Sequence, residues 1–183
     1  MMMKKMLVMS LAASGFMVSA LAQAETQTVS LGYAHFKPQD EKALNGATLG
    51  YRYEFNDDWG VLGNFTFAKG DRKETDEDAK GDFKYYSLMA GPTYRINEYI
   101  SLYGQLGLAH FKAKFDANYD NGYSEHSSAS KTALGWGAGF IVNPVDNVSV
   151  TVGYEGSRFN VNDDNGGGKV SANGFNVSLG YRF

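Results

Sequence analysis

Gly174-Phe175-Asn176-Val177-Ser178-Leu179-Gly180-Tyr181-Arg182-Phe183 is the stretch that decides the fold. Phe175, Val177, Leu179, Tyr181 and Phe183 alternate with Gly174, Asn176, Ser178, Gly180 and Arg182. Period two is the mark of a β-strand with two unlike faces. Upstream the same rhythm returns in Val29-Leu31-Tyr33, Leu49-Tyr51-Tyr53-Phe55, Val61-Gly63-Phe65-Phe67 and Tyr86-Leu88-Ala90-Pro92-Tyr94. It continues in Leu102-Leu106-Leu108, Leu134-Trp136-Ala138-Phe140-Val142 and Val148-Val150-Val152-Tyr154. With the final stretch these make eight predicted strands.

The second face decides which solvent each side meets. A soluble, lipocalin-like barrel would carry long charged side chains there, reaching into water. Here that face is mostly Gly, Ser, Thr and Asn, with Arg52, Glu54, Arg95, Glu155 and Arg182 among them. Small residues suit the crowded interior of an eight-stranded barrel, which side chains fill without leaving a channel. The large apolar and aromatic residues then face outward, where lipid accepts them and aromatic girdles form near the strand ends. The five inward charges are expected to share one network, because a charge inside a packed barrel persists only when paired or hydrogen-bonded. The fold expected is all-β: a transmembrane, eight-stranded, antiparallel up-and-down barrel.

The links support the same count. Asn56–Trp59, Asn97–Tyr99 and Asn143–Asn147 are short, whereas Lys37–Asn45, Lys69–Asp82, Lys112–Lys131 and Arg158–Val170 are longer and polar. Short periplasmic turns alternating with long outer loops are characteristic of these barrels, so both termini are expected on the periplasmic side. An open sheet edge in hydrocarbon would leave backbone groups without partners, so the sheet must close.

At the other end of the chain, Lys4 and Lys5 precede an apolar run from Met6 to Leu21 and then Ala22-Gln23-Ala24. This reads as a secretory signal peptide over residues 1–24, leaving a barrel domain over 25–183. Cutting there removes two lysines from a chain of net charge −3, giving −5. A mildly acidic chain without a basic stripe argues against nucleic-acid partners. With no cysteine, stability must come from packing and backbone pairing. The negative mean hydropathy (−0.35) does not exclude a membrane barrel, whose strands are apolar on one face only.

Several segments then become familiar: Tyr51-Arg52-Tyr53-Glu54, Ala90-Gly91-Pro92-Thr93-Tyr94-Arg95-Ile96-Asn97, Gly137-Ala138-Gly139, Asn143-Pro144, Tyr154-Glu155 and Gly180-Tyr181-Arg182-Phe183. In order and spacing the mature chain resembles the Ail/OmpX/PagC/Lom family of enterobacterial outer-membrane proteins. The resemblance implies an eight-stranded barrel whose members serve in adhesion, host-cell invasion or complement resistance, or have no clear activity. No catalytic set comes with these motifs, and the loops depart freely from the pattern.

Enzyme chemistry finds little support in the residues themselves. His35 and His110 fall on the outward face, and His126 follows Glu125 and precedes Ser127 and Ser128 in a predicted loop. Adjacent residues in a loop do not supply a positioned nucleophile and base. Gly166-Gly167-Gly168-Lys169 lacks the spacing and the following Ser or Thr of a phosphate loop. Asp76-Glu77-Asp78 lacks calcium-loop spacing. Neither catalytic residues, a metal nor a cofactor is expected, and the barrel is expected to be a monomer.

Two functions remain. In the first, long loops bind host matrix proteins or complement regulators, with Phe115, Tyr119 and Tyr123 as aromatic anchors. In the second, Lys69, Arg72, Lys73, Lys112 and Lys114 contact lipopolysaccharide head groups, and the protein is a structural membrane component. Tyr181 and Phe183 resemble the terminal signal read by the barrel assembly machinery.

Overall fold

The computed structural model describes residues 26–38, 43–73, 79–118, 124–161 and 168–183. Eight strands follow one another: β1 (Thr26–Pro38), β2 (Leu44–Glu54), β3 (Trp59–Lys73), β4 (Ala79–Arg95), β5 (Ile100–Asn118), β6 (Ser124–Val145), β7 (Val148–Val161) and β8 (Gly168–Arg182). Each pairs antiparallel with the next, and β8 returns to β1, closing the barrel. The seam runs from Thr28 opposite Arg182 to Pro38 opposite Ala172. Beyond it, the backbones of Gln27 and Phe183 exchange two hydrogen bonds of 2.8 Å. Among the described residues no helix is long and apolar enough to cross a membrane, which is immaterial to a molecule that crosses with strands.

One end of the barrel is flush. There, Asn56 Oδ1 accepts hydrogen bonds from the backbone N–H groups of Asp58 (3.0 Å) and Trp59 (2.8 Å). Asn97 Oδ1 accepts from Tyr99 and Ile100 in the same way, at 2.9 Å each. An asparagine that caps its own turn shortens the link to a few residues. The third turn, at Val145–Val148, follows a register shift beside Pro144, whose nitrogen cannot donate to the ladder.

The other end is uneven. β2 has 11 residues, about what a tilted strand needs to cross hydrocarbon, but β4, β5 and β6 have 17, 19 and 22. The surplus rises as two hairpins. β3 and β4 stay paired up to Lys73 opposite Lys80, and β5 and β6 up to Asn118 opposite Ser124. This corrects two sequence expectations: much of Lys69–Asp82 and Lys112–Lys131 is strand, not loop. Beyond Lys69, Lys84 and Lys112 the outward apolar rhythm stops while the backbone ladder continues.

The facing expected from the pattern holds along the strands. Leu106 and Leu134 are 74 % and 78 % exposed, an arrangement that costs roughly 25 cal/mol per Å² in water and nothing in lipid. Inside, the barrel is filled from end to end. Tyr103 lies across Gly139 and Gly153, where an added Cβ would collide with its hydroxyl. Toward the hairpin end the filling turns apolar: Phe36, Leu44, Phe83, Tyr85 and Phe159 form one buried cluster, with Phe111 packed against it. That inward aromatic plug departs from the expectation that large rings face lipid. Phe36 and Phe159 lie at strand ends, where the outward neighbours are polar and no longer reveal the face.

Candidate functional site

The inward charges come first, because they fix how the strands lie. Glu54 gathers three guanidinia at the turn end. Its Oε1 meets Arg52 Nη2 at 3.2 Å and Arg95 Nη2, and its Oε2 accepts from Arg182 Nε at 3.0 Å. Arg52 continues across the barrel, donating from Nε to Thr93 Oγ1 (3.3 Å) and from Nη2 to Ser101 Oγ (3.1 Å). It thus ties β2 to β4 and β5 through side chains alone.

Glu155, expected in the same network, stands apart. It accepts hydrogen bonds from Tyr85 Oη at 2.8 Å and from Thr66 Oγ1 at 3.5 Å. Between it and the arginines lie Asn64 and Gln105, hydrogen-bonded at 3.0 Å, along with Leu62, Tyr103 and Ile141. Period two assigns a residue to a face but not to a level, so sequence reasoning merged two separate clusters.

The outer wall has its own order, visible in the register of β3, β4 and β5. Phe65, Leu88 and Leu108 stand opposite one another, and two residues toward the hairpin end so do Phe67, Tyr86 and His110. Two further on come Lys69, Lys84 and Lys112. Apolar, aromatic and cationic rows therefore succeed one another in the sequence in which hydrocarbon, interface and head groups succeed one another across a leaflet. The rings of Phe67 and Tyr86 lie 5.1 Å apart. Toward β2 the cationic row continues into Asn45, opposite Lys69; Asn45 Oδ1 accepts from Tyr33 Oη (2.5 Å) and pairs with His35 Nδ1 (2.7 Å).

Lys69 is exposed and Lys84 and Lys112 are half-buried, as expected for ammonium groups carried on stems laid along the sheet. Like charges directly opposite each other on paired strands repel, so this row calls for anions outside the barrel. Lys84 was missed by sequence reasoning. The signal was its spacing, two residues before Tyr86 on the same face, but it lay between the link read as ending at Asp82 and the strand read as starting at Tyr86.

The remaining sequence candidates scatter. Lys114 is exposed one step beyond the row, opposite Asp82. Arg72 and Lys73 occupy the last rungs of β3, and Phe115 pairs with Ser127 across the β5–β6 hairpin. Tyr119, Tyr123 and the Asp76-Glu77-Asp78 run lie outside the described residues, as do Gly166 and Gly167. Glu125, His126, Ser127 and Ser128 are consecutive positions of β6 and belong to its ladder with β5, not to a loop. At the C-terminus, Tyr181 and Phe183 are exposed on the outer wall with rings stacked 6.1 Å apart.

A family model described as the outer membrane protein beta-barrel domain matches residues 8–183. The chain belongs to this outer-membrane barrel family. Within it, the chain is 42 % identical to the attachment invasion locus protein of Yersinia pseudotuberculosis, covering 98 % of this chain and 97 % of that protein. It is 37 % identical to outer membrane protein X of Enterobacter cloacae, covering 99 % and 100 %. It is 36 % identical to the virulence membrane protein PagC of Salmonella typhimurium, covering 91 % and 92 %. Among solved structures, the crystal structure of Ail from Yersinia pestis with the heparin analogue sucrose octasulfate superposes with a TM-score of 0.71. That barrel shares 42 % sequence identity and covers 88 % of this chain and 100 % of its own.

Proposed function

We propose that this outer-membrane barrel displays its β3–β4 and β5–β6 hairpins outside the cell as an attachment surface, binding host matrix or complement-regulating proteins and so serving virulence. The observation that carries this reading is the one-sided surplus of strand: 22 residues in β6 against 11 in β2. Crossing a membrane does not require it, and rigid scaffolds commonly carry binding in what projects from them. Names among the relatives, attachment invasion locus and virulence membrane protein, point the same way. In this reading residues 1–24 are a signal peptide, the flush end and both termini are periplasmic, and the barrel is a monomer without catalytic activity.

The test is surface expression in a non-adherent, serum-sensitive strain, scored for both cell binding and serum survival. Separate replacement of 71–80 and 116–128 by short Gly/Ser links, each checked for heat-modifiable folding, should abolish whichever activity the hairpin carries. Unchanged binding in both folded variants would remove the hairpins from consideration.

A second reading has its own observation. The row Lys69-Lys84-Lys112 suits the phosphates of lipopolysaccharide, which makes the barrel an organiser of the outer leaflet. Replacing all three lysines with Gln should then raise the detergent sensitivity of the expressing cells while leaving binding to host cells intact. The assembly signal is tested separately: deleting Phe183 should leave export unchanged and strongly lower the yield of folded barrel.

A further inference from the structure

The interior of the turn end carries more positive charge than its own acid can match. Arg52, Arg95 and Arg182 face one carboxylate, Glu54, which is engaged by all three of them; three positive charges less one negative leave a net of +2. The turn acids Asp57, Asp58, Glu98 and Asp146 are exposed on the rim, and among the described residues the ion pairs of these arginines all go to Glu54.

A second observation is independent of the charge count. Three buried polar atoms in this part of the barrel have no hydrogen-bond partner: Arg52 Nη1, Asn143 Nδ2 and Thr28 Oγ1. The first two are donors, and the hydroxyl can act as a third. Arg52 is only 2 % exposed and Thr28 3 %. The register relates their positions. Thr28 stands opposite both Arg52 on β2 and Arg182 on β8. Ser101, which accepts from Arg52, pairs with Ile141 on β6, one inward step from Asn143. Arg182 Nη1 reaches the carbonyl of Asp146 in the turn that follows Asn143.

Unmatched donors surrounding excess positive charge are the chemistry of an anion site. Leaving a charge buried and unpaired is costly, and a buried unsatisfied donor in a native fold calls for an ion or water at its side. We propose that the turn-end interior binds a small monovalent anion of the halide class, held by Arg52 Nη1 with Arg182, Asn143 and Thr28. Size selects it, because an eight-stranded interior has little room beyond its own side chains. The acidic rim selects it too, by opposing the entry of multiply charged oxyanions. Arg95 and Arg182, 22 % and 16 % exposed, mark the way in.

The test uses the refolded mature chain. Crystals soaked in bromide should show an anomalous peak within hydrogen-bonding reach of Arg52 Nη1. In urea, at fixed ionic strength, chloride should stabilise the barrel relative to methanesulfonate, which is too bulky for the site. The folding constant should rise as one plus the ratio of anion concentration to Kd, about a hundredfold at a hundred times Kd. Sulfate should give no such gain. Asn143→Ala should weaken the chloride effect without abolishing folding. An ordered water at Arg52 Nη1 with bromide only on the surface would overturn the proposal, as would identical unfolding midpoints in the two monovalent salts.

Discussion

Near the flush end the barrel is filled by Arg52, Glu54, Arg95 and Arg182, and near the hairpin end by Phe36, Phe83, Phe111 and Phe159. Both fillings occupy the same kind of space, a tube too narrow for a channel, but they act differently. The charged half is directional: Arg52 alone touches Thr93, Ser101 and Glu54, so sliding one strand by a residue would break several contacts at once. The aromatic half is tolerant, since rings 4.4–6.1 Å apart, as Phe36–Tyr85 and Phe111–Phe159 are, attract over a range of geometries. The half with directional bonds sets the register, and the half with soft contacts seals the mouth.

Substitutions can break this contrast. Glu54→Leu should be the most damaging, because it strands three guanidinia; a loss of roughly 3–5 kcal/mol is expected for a buried pair broken on one side. The urea unfolding midpoint in lipid or detergent measures it, and a harmless outcome would remove the directional role. Phe36→Ala should cost about 3 kcal/mol, toward the low end for a buried ring, because neighbouring rings can close on the gap. Its signature is a lower midpoint with the turn-end amide signals unchanged by NMR.

Tyr85→Phe deletes the 2.8 Å donor to Glu155 and should cost about 1–3 kcal/mol, the penalty of leaving a buried acceptor short of a partner. If Tyr85→Phe proved as damaging as Glu54→Leu, the two clusters would not be energetically separate. The smallest effect is expected outside. Lys84→Gln should change stability by no more than about 0.5 kcal/mol in plain phospholipid, with any gain reflecting relief of repulsion within the row.

The part of the molecule inside hydrocarbon was legible in the sequence because each solvent writes on one face. Leu106 and Gln105, or Val177 and Asn176, differ because one meets lipid and the other the interior. Where the strands leave the membrane this contrast reverses: Lys112 and Lys114 face outward and Ala113 inward, so the pattern no longer continues the apolar-out rhythm of Leu106 and Leu108. The interior charges were legible as a set and not as an arrangement. Alternation gave Arg52, Glu54, Arg95, Glu155 and Arg182 their face, whereas the separation of Glu155 depends on the levels at which strands register, a property of pairs of strands. The plug at Phe36 and Phe159 was missed for the opposite reason, since aromatic rings at strand ends are also what an interfacial girdle requires.

The uneven strands have one more consequence. In the orientation proposed above, with the flush end periplasmic, everything on the β3–β6 hairpins from Lys69, Lys84, Lys112 and Lys114 outward must pass through hydrocarbon once, during assembly. To turn the finished barrel over would drag those charges back, at about 2–4 kcal/mol for each lysine or arginine on the lipid face at the midplane. The flush end carries Asp57, Asp58, Glu98 and Asp146 and would have to cross in the opposite sense at the same moment. Insertion is therefore a ratchet: the molecule keeps for its lifetime the direction in which it first entered.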